Sequence, residues 1–346
     1  FLVPATREKC MKKGLALASS LGVTMMHTYA AEIWHYDEDF ADYVARSDRG
    51  ELPVRMAVCL DYMFDPENLT PEQRNDPYRA ARMGSFKSFS DGSLGSRSAK
   101  LYTDYADDPG NTGILVISPE DLAKRMYKAY RHGLQPAPHC IGDKALEVTL
   151  DAVEYCLQQG LKDGMTPEEQ AKRLPFRIIH AQMATPELIE RMKKLPIVLD
   201  IQPTFLMTDL HWIEERVGKE RAVLSYPWKT YLDAGLIMAG GSDAPVESFN
   251  PWIGIYATVT RQDMDGYPVG GYHPNEKLSV YDAVCMYSKN VAYANGDQDL
   301  MGTIEAGKFA DMVVIDRDIF HIPENDIKDI QVLNTYMAGI ERYHRD

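Results

Sequence analysis

From residue 22 to residue 294, short apolar runs rich in Val and Ile alternate with segments of helical period, and this alternation constrains the fold more than any other feature. Strands are expected at 23–27, 54–60, 85–90, 135–139, 177–180, 197–202 and 236–242. Between them the period predicts helices over 119–132, 142–159, 186–194, 227–234 and 280–294. Ser118-Pro119-Glu120-Asp121 and Thr185-Pro186-Glu187 each set a capping hydroxyl before a proline at the first helical position. Short buried strands separated by helices make a parallel sheet covered by helices. Seven of them fit an α/β fold, a TIM (β/α)8 barrel that lacks its first strand. An open doubly wound sheet is the rival, weakened because no G-x-G-x-x-G follows an early strand.

Past residue 295 the period changes, which divides the chain into a barrel (1–295) and a small β appendage (296–346), expected to be part of a β-sandwich. There, 302–309 reads as a turn-rich hairpin and 312–316 and 330–337 as strands. The polar stretches 65–76, 159–173 and 263–277 read as loops or insertions. The chain opens on Phe1 and enters an amphipathic stretch over 6–21, which reads as a piece of a longer chain.

Composition removes several function classes. A formal charge of −14 with no basic block argues against nucleic acid. No apolar run approaches membrane-spanning length and no signal peptide is visible. Five cysteines without a C-x-x-C read as reduced thiols of a cytoplasmic protein. Partners are expected to be a small molecule and a second copy of the chain, a homo-oligomer.

In a parallel barrel, functional side chains sit where the strands end and the loops converge. Four expected strands close on Lys87, His139, His180 and Asp243, spaced 52, 41 and 63 residues apart. The first two spacings are single βα units with insertions, and the third is about two units of roughly 30 residues. Two imidazoles and a carboxylate converging on one point suit Zn²⁺ or a similar divalent ion, with Asp243 placed to relay a proton. Each residue alone has an ordinary explanation. A strand-end histidine is usually a hydrogen-bonding residue, Lys87 could pair with Asp91, and Asp243 could cap its loop. Independent structural roles would not select four matching strand ends, so the metal reading is preferred. Arg97, in the loop after Lys87, could meet a substrate anion or hold its own loop. Gln182 and Gln202 stand at strand ends where they could line a pocket, and the 92–113 loop is expected to cover the mouth. His35, His132, His211, His273, His321 and His344 fall in loops or helices and carry no functional reading.

These residues also carry a resemblance. Phe86-Lys87-Ser88-Phe89-Ser90-Asp91-Gly92-Ser93-Leu94-Gly95-Ser96-Arg97 resembles a signature of the YtcJ-like branch of the amidohydrolase superfamily (amidohydrolase family 3), which includes enzymes like N-substituted formamide deformylase. His139-Cys140-Ile141-Gly142-Asp143-Lys144-Ala145, Ile179-His180-Ala181-Gln182 and Gly241-Ser242-Asp243-Ala244-Pro245-Val246 are similar to later motifs of the same branch, in the same order. The run from Met301 to Asp311 is similar to the superfamily's return to its β-sandwich. The resemblance implies a metal-dependent hydrolase of a C–N bond, amide or formamide in type, that uses a metal-activated water. Its alternatives are a cyclic amidohydrolase, a deaminase, or a non-catalytic fragment. It implies metal ligation by Lys87, His139, His180 and Asp243, one or two zinc ions, and a carboxylated Lys87. Asp243 would be the catalytic base and acid; Arg97, Gln182 and Gln202 are the candidate substrate-binding residues from their positions alone. The family also places a His-x-His pair at the end of the first strand, and this chain contains none, His27-Thr28-Tyr29 being nearest. The expectation is therefore a chain that lacks its first strand, is inactive alone, and exposes unpaired sheet edges.

Overall fold

The structure is a computed structural model and describes residues 4–29, 36–60, 76 and 78–346. Seven strands, β1 (Met25–Tyr29), β2 (Arg55–Leu60), β3 (Ala81–Phe89), β4 (Pro136–Cys140), β5 (Phe176–His180), β6 (Ile197–Ile201) and β7 (Met238–Gly240), lie side by side in chain order. Every neighbouring pair is parallel. Parallel strands that never change direction of winding keep all crossover helices on one side, so the sheet curls as a TIM-type barrel does. β1 and β7 are its two edges among the described residues.

Alternation along the strands sorts the side chains between lumen and helix layer. In β2, Met56, Val58 and Leu60 pack with Phe86 of β3 against Leu15, Ala18 and Phe40 of the helices Pro4–Ser20 and Tyr36–Asp48. In β4 and β5, Cys140 and Ile178 join the main core with Leu146, Leu150 and Val153 of the helix Asp143–Lys162. The residues between them on each strand face the lumen, and these include Lys87 and His139.

A three-stranded antiparallel sheet follows, ordered β10 (Ile340–His344), β9 (Val332–Met337), β8 (Met312–Ile315). It docks on the first helix through the Thr335 hydroxyl, which donates to the Ser19 carbonyl at 2.7 Å. A buried ion pair, Arg55 to Asp311 at 2.8 Å, ties it to the barrel. None of the described helices is long and apolar enough to cross a membrane, and the five cysteines are free thiols.

Several local expectations are corrected. Residues 159–173 are not a loop: they hold the end of the helix Asp143–Lys162 and a further helix, Pro167–Ala171. That helix opens with a complete capping box between Thr166 and Glu169, a signal legible as T-P-E-E. The expected hairpin at 302–309 forms turns and bends without paired strands. Residues 280–294 form two helices, Val280–Met286 and Lys289–Ala294, broken at Tyr287-Ser288 where the Ser288 backbone leaves helical geometry. The last barrel strand is only Met238–Gly240. Helices at Pro203–Asp209, Ile213–Val217 and Pro251–Thr260 were not anticipated. Nearly all of the expected loop 65–76 lies outside the described residues.

Candidate metal centre

Strand register brings the expected residues to one mouth. Phe89 pairs with His139 across β3 and β4, and Cys140 pairs with His180 across β4 and β5. Lys87 shares a face with Phe89 one layer lower, and its ammonium reaches to 4.9 Å from the Phe89 ring. The His139 and His180 rings meet edge to face with centroids 4.4 Å apart. Phe89 flanks His139 at 5.4 Å and Phe205 stacks on His180 at 5.7 Å, so each imidazole has an aromatic wall.

His180 reaches the mouth by a break in the strand rule. Regular alternation would send it to the helix side with Ile178. Instead His180 and Ala181 both have left-handed backbones, φ 75° and 43°. For residues with a Cβ such geometry costs about 1–3 kcal/mol each and persists only where surroundings impose it. Asp243 is left-handed as well, φ 55°. Two of the four expected site residues thus occupy strained backbone.

His139 is held by groups of the loop that follows β3. Its Nε2 bonds the Gly92 carbonyl at 3.0 Å and lies 3.3 Å from Asp91 Oδ1. As donor to that carbonyl, Nε2 carries the proton and Nδ1 keeps the free lone pair. Asp91 is fully buried and accepts three backbone N–H groups, from Ile141 (3.0 Å), Gly142 (2.9 Å) and Lys100 (2.9 Å). It pins the loop, the end of β4 and the start of the next helix around His139. Sequence reasoning treated Asp91 only as a partner for Lys87; its place in F-S-D-G-S after a strand end was the available signal.

Electrostatics couple the four groups. Burial pushes the Lys87 ammonium below its ordinary value, opposed by Asp243, Cys59 and Asp200 and assisted by Arg177. His180 is driven well below the ordinary imidazole value by burial first, then by His139 and Lys87. Asp243 stands exposed at the rim, yet the protein crowded beneath it raises its carboxyl against the pull of Lys87 and His139.

The three residues expected to touch substrate sit in different surroundings. Arg97 pairs with Asp107 of its own loop at 2.7 Å, and Arg216 holds the same carboxylate. Gln182 is buried, and its amide donates to Asp209 at 2.7 Å and to the Tyr226 hydroxyl at 2.5 Å. Gln202 donates to the Asp200 carbonyl at 3.0 Å, and its side chain also engages His180. The 92–113 loop is less a lid than part of the core, since Leu94, Ala99, Leu101 and Tyr105 are buried in the main cluster.

The donor set fits a divalent ion in kind: two imidazoles, a carboxylate and a dehydrated lysine, with His180 Nδ1 buried and without a hydrogen-bond partner. Among the described residues no three His, Cys, Asp or Glu side chains are gathered closely enough to hold an ion by themselves.

Fold and site together define a TIM-type barrel protein with a polar centre at the carboxyl ends of its strands. The chain belongs to the amidohydrolase family, whose model matches residues 2–343. It is 35% identical over 336 residues to the putative amidohydrolase YtcJ of Bacillus subtilis, covering 97% of this chain and 59% of that protein. It is 30% identical over 237 residues to N-substituted formamide deformylase of Arthrobacter pascens, covering 68% of this chain and 41% of that one. The chain thus spans about three fifths or less of the length of these relatives. Among solved structures, an uncharacterized metal-dependent hydrolase from Pyrococcus furiosus superposes with a TM-score of 0.75 at 28% identity, over 90% of this chain and 60% of that one.

Proposed function

We propose that this barrel serves a metal-dependent hydrolase of a C–N bond of amide or formamide type. The observation that carries the reading is the meeting of the His139 and His180 rings, 4.4 Å apart, in electrostatic reach of Lys87 and Asp243. The similarity to a formamide deformylase supports the bond type. Lys87, His139, His180 and Asp243 would hold the ion, one zinc or two, which supplies Lewis acidity toward a carbonyl and toward water. A neutral Lys87 amine, favoured by burial, is the form that can take up CO₂ to become a carboxylated ligand. Asp243, with its carboxyl raised, suits the proton shuttle: it accepts a proton from the attacking water and returns it to the leaving nitrogen. The products are then a carboxylate and an amine. Gln202 stands beside His180 to orient the substrate carbonyl.

The test is a zinc titration with an assay of amine release from a panel of formamides and amides. It is run on the chain alone and with a peptide ending in His-x-His added to complete the donor set. Saturable zinc binding that is lost in His180→Ala, with amine release when donors are complete, is expected. A chain that binds no zinc under either condition overturns the reading.

A further inference from the structure

We propose that Tyr231 is a positioning residue that aims His180 by holding the left-handed turn beneath it. Its functional consequence rests on the reading of His180 as a metal ligand; its geometry does not. The turn is two adjacent non-glycine residues, His180 and Ala181, at φ 75° and 43°. Nothing intrinsic to alanine keeps it there, because a left-handed backbone crowds its Cβ against the neighbouring carbonyl. The surroundings must therefore supply the constraint.

They do so at each peptide group. The Ala181 N–H donates to the Cys140 carbonyl at 3.0 Å, continuing the contact with β4. The Ala181 carbonyl turns away from the strand ladder into the core, where the Tyr231 hydroxyl donates to it at 2.7 Å. The next carbonyl, Gln182, accepts the Tyr226 N–H at 2.8 Å, and the Gln182 side chain is tied to Asp209 and Tyr226. Tyr231 lies in the helix Trp228–Asp233 with no exposed surface, and Ala181 is equally enclosed. Water does not reach this carbonyl, so without the phenol it would be a buried acceptor with no donor. The way to relieve that loss is to rotate about the Ala181 N–Cα bond toward an ordinary negative φ. With Gln182 held by Asp209 and Tyr226, rotation there turns the 180–181 peptide and the His180 Cα–Cβ bond attached to it, and the imidazole leaves its contacts with His139 and Phe205.

Tyr231→Phe keeps the ring and removes only the hydroxyl. Two readouts separate aim from stability: the imidazole resonances of His180 in the metal-free protein, and the dissociation constant for zinc. The variant is expected to shift or broaden the His180 resonances and to weaken zinc binding about ten-fold, as loss of a supporting contact around a ligand does. Adding Ala181→Gly should return both toward the wild-type values, because glycine holds a left-handed backbone without strain. Its thermal stability should stay lowered, the hydrogen bond being still absent. Unmoved resonances in Tyr231→Phe would overturn the proposal, as would moved resonances that the glycine fails to restore. His180→Ala separates the two readings. If it keeps wild-type zinc affinity while Tyr231→Phe still moves the His180 signals, the metal reading fails and the positioning role stands. If it loses zinc and Tyr231→Phe leaves both the signals and the affinity unchanged, the positioning role alone fails.

Discussion

The Arg177 guanidinium donates to Nδ1 of His27 at 3.0 Å, joining β5 to β1 through the interior of the barrel. Three strands separate these two in the sheet, so the bond spans the lumen and braces the curl of a sheet whose edges, among the described residues, are β1 and β7. The same guanidinium donates through Nε to Asp200 of β6 at 2.6 Å. Burial first, then the charges of Arg177 and Arg82, hold His27 well below its ordinary value and keep it neutral. A neutral ring that accepts at Nδ1 carries its proton on Nε2, and that atom, like Asp200 Oδ1, is buried without a partner.

Removing the brace should be severe. Arg177→Met leaves the Asp200 carboxylate in the lumen without its cation, a loss of about 3–5 kcal/mol by the rule for broken buried pairs. Arg177→Met with Asp200→Asn should recover a substantial part, since no buried charge is then left alone. Urea unfolding of the wild type and the two variants measures both numbers. A single mutant as stable as wild type would show that the lumen admits water at this depth.

Asp91 should matter for local order as well as stability. Asp91→Ala strips the acceptor from three backbone N–H groups at once, the buried ones of Ile141 and Gly142 and the half-buried one of Lys100. A loss of roughly 3 kcal/mol or more is expected. Amide hydrogen exchange should accelerate at Ile141 and Gly142 before it does in β6. Uniform acceleration across the sheet would mean that Asp91 is not a local pin.

Asp209 gives stability a definite pH dependence. Burial lifts its carboxyl from 3.8 to about 6, against the hydroxyl of Tyr226 and the amide of Gln182, which favour the charged form. The folded chain therefore binds this proton more tightly than the unfolded chain does. Its contribution falls as pH rises from about 4 to about 6 and is flat above that. Asp209→Asn should remove the slope and gain on the order of 2 to 3 kcal/mol at pH 8 relative to pH 4, compared with wild type. Denaturant midpoints across this range decide it, and parallel curves for the two proteins would refute it.

Shortening the 92–113 loop should cost stability before it changes specificity. Leu94, Leu101 and Tyr105 are at most 1% exposed, and burying side chains of this size contributes about 1.5–3 kcal/mol each. The loop is also bound to the segment after β6, through Arg221 to Thr103 at 2.6 Å and Arg216 to Asp107. A deletion of 94–105 should lower the melting temperature by many degrees. An unchanged melting temperature with altered substrate preference would restore the picture of a detachable lid.

The sequence made the barrel legible because its strands are short, mostly apolar and separated by segments of helical period, and every one of the seven expected strands overlaps an observed one. The Lys87 and His139 positions were legible for the same reason, as strand residues whose alternation faces the lumen. What escaped was irregular. The break at Tyr287-Ser288, the turns at 302–309 and the short helices between 203 and 222 follow from tertiary packing that overrides local period.

By itself, then, the sequence determined the parallel α/β architecture, the shift to antiparallel strands after residue 295, and the residue types gathered at the strand ends. Those depend on the spacing of apolar residues and on chain order, both of which are local. Only the tertiary structure decided that Asp91 lies against His139, and that Gln182 is spent on Asp209 and Tyr226. It also decided that His180 turns into the lumen on a left-handed backbone secured by Tyr231, fifty positions later in the chain. Hydrogen bonds between groups so far apart in sequence leave no periodic trace. A buried carbonyl must find a donor wherever the fold brings one.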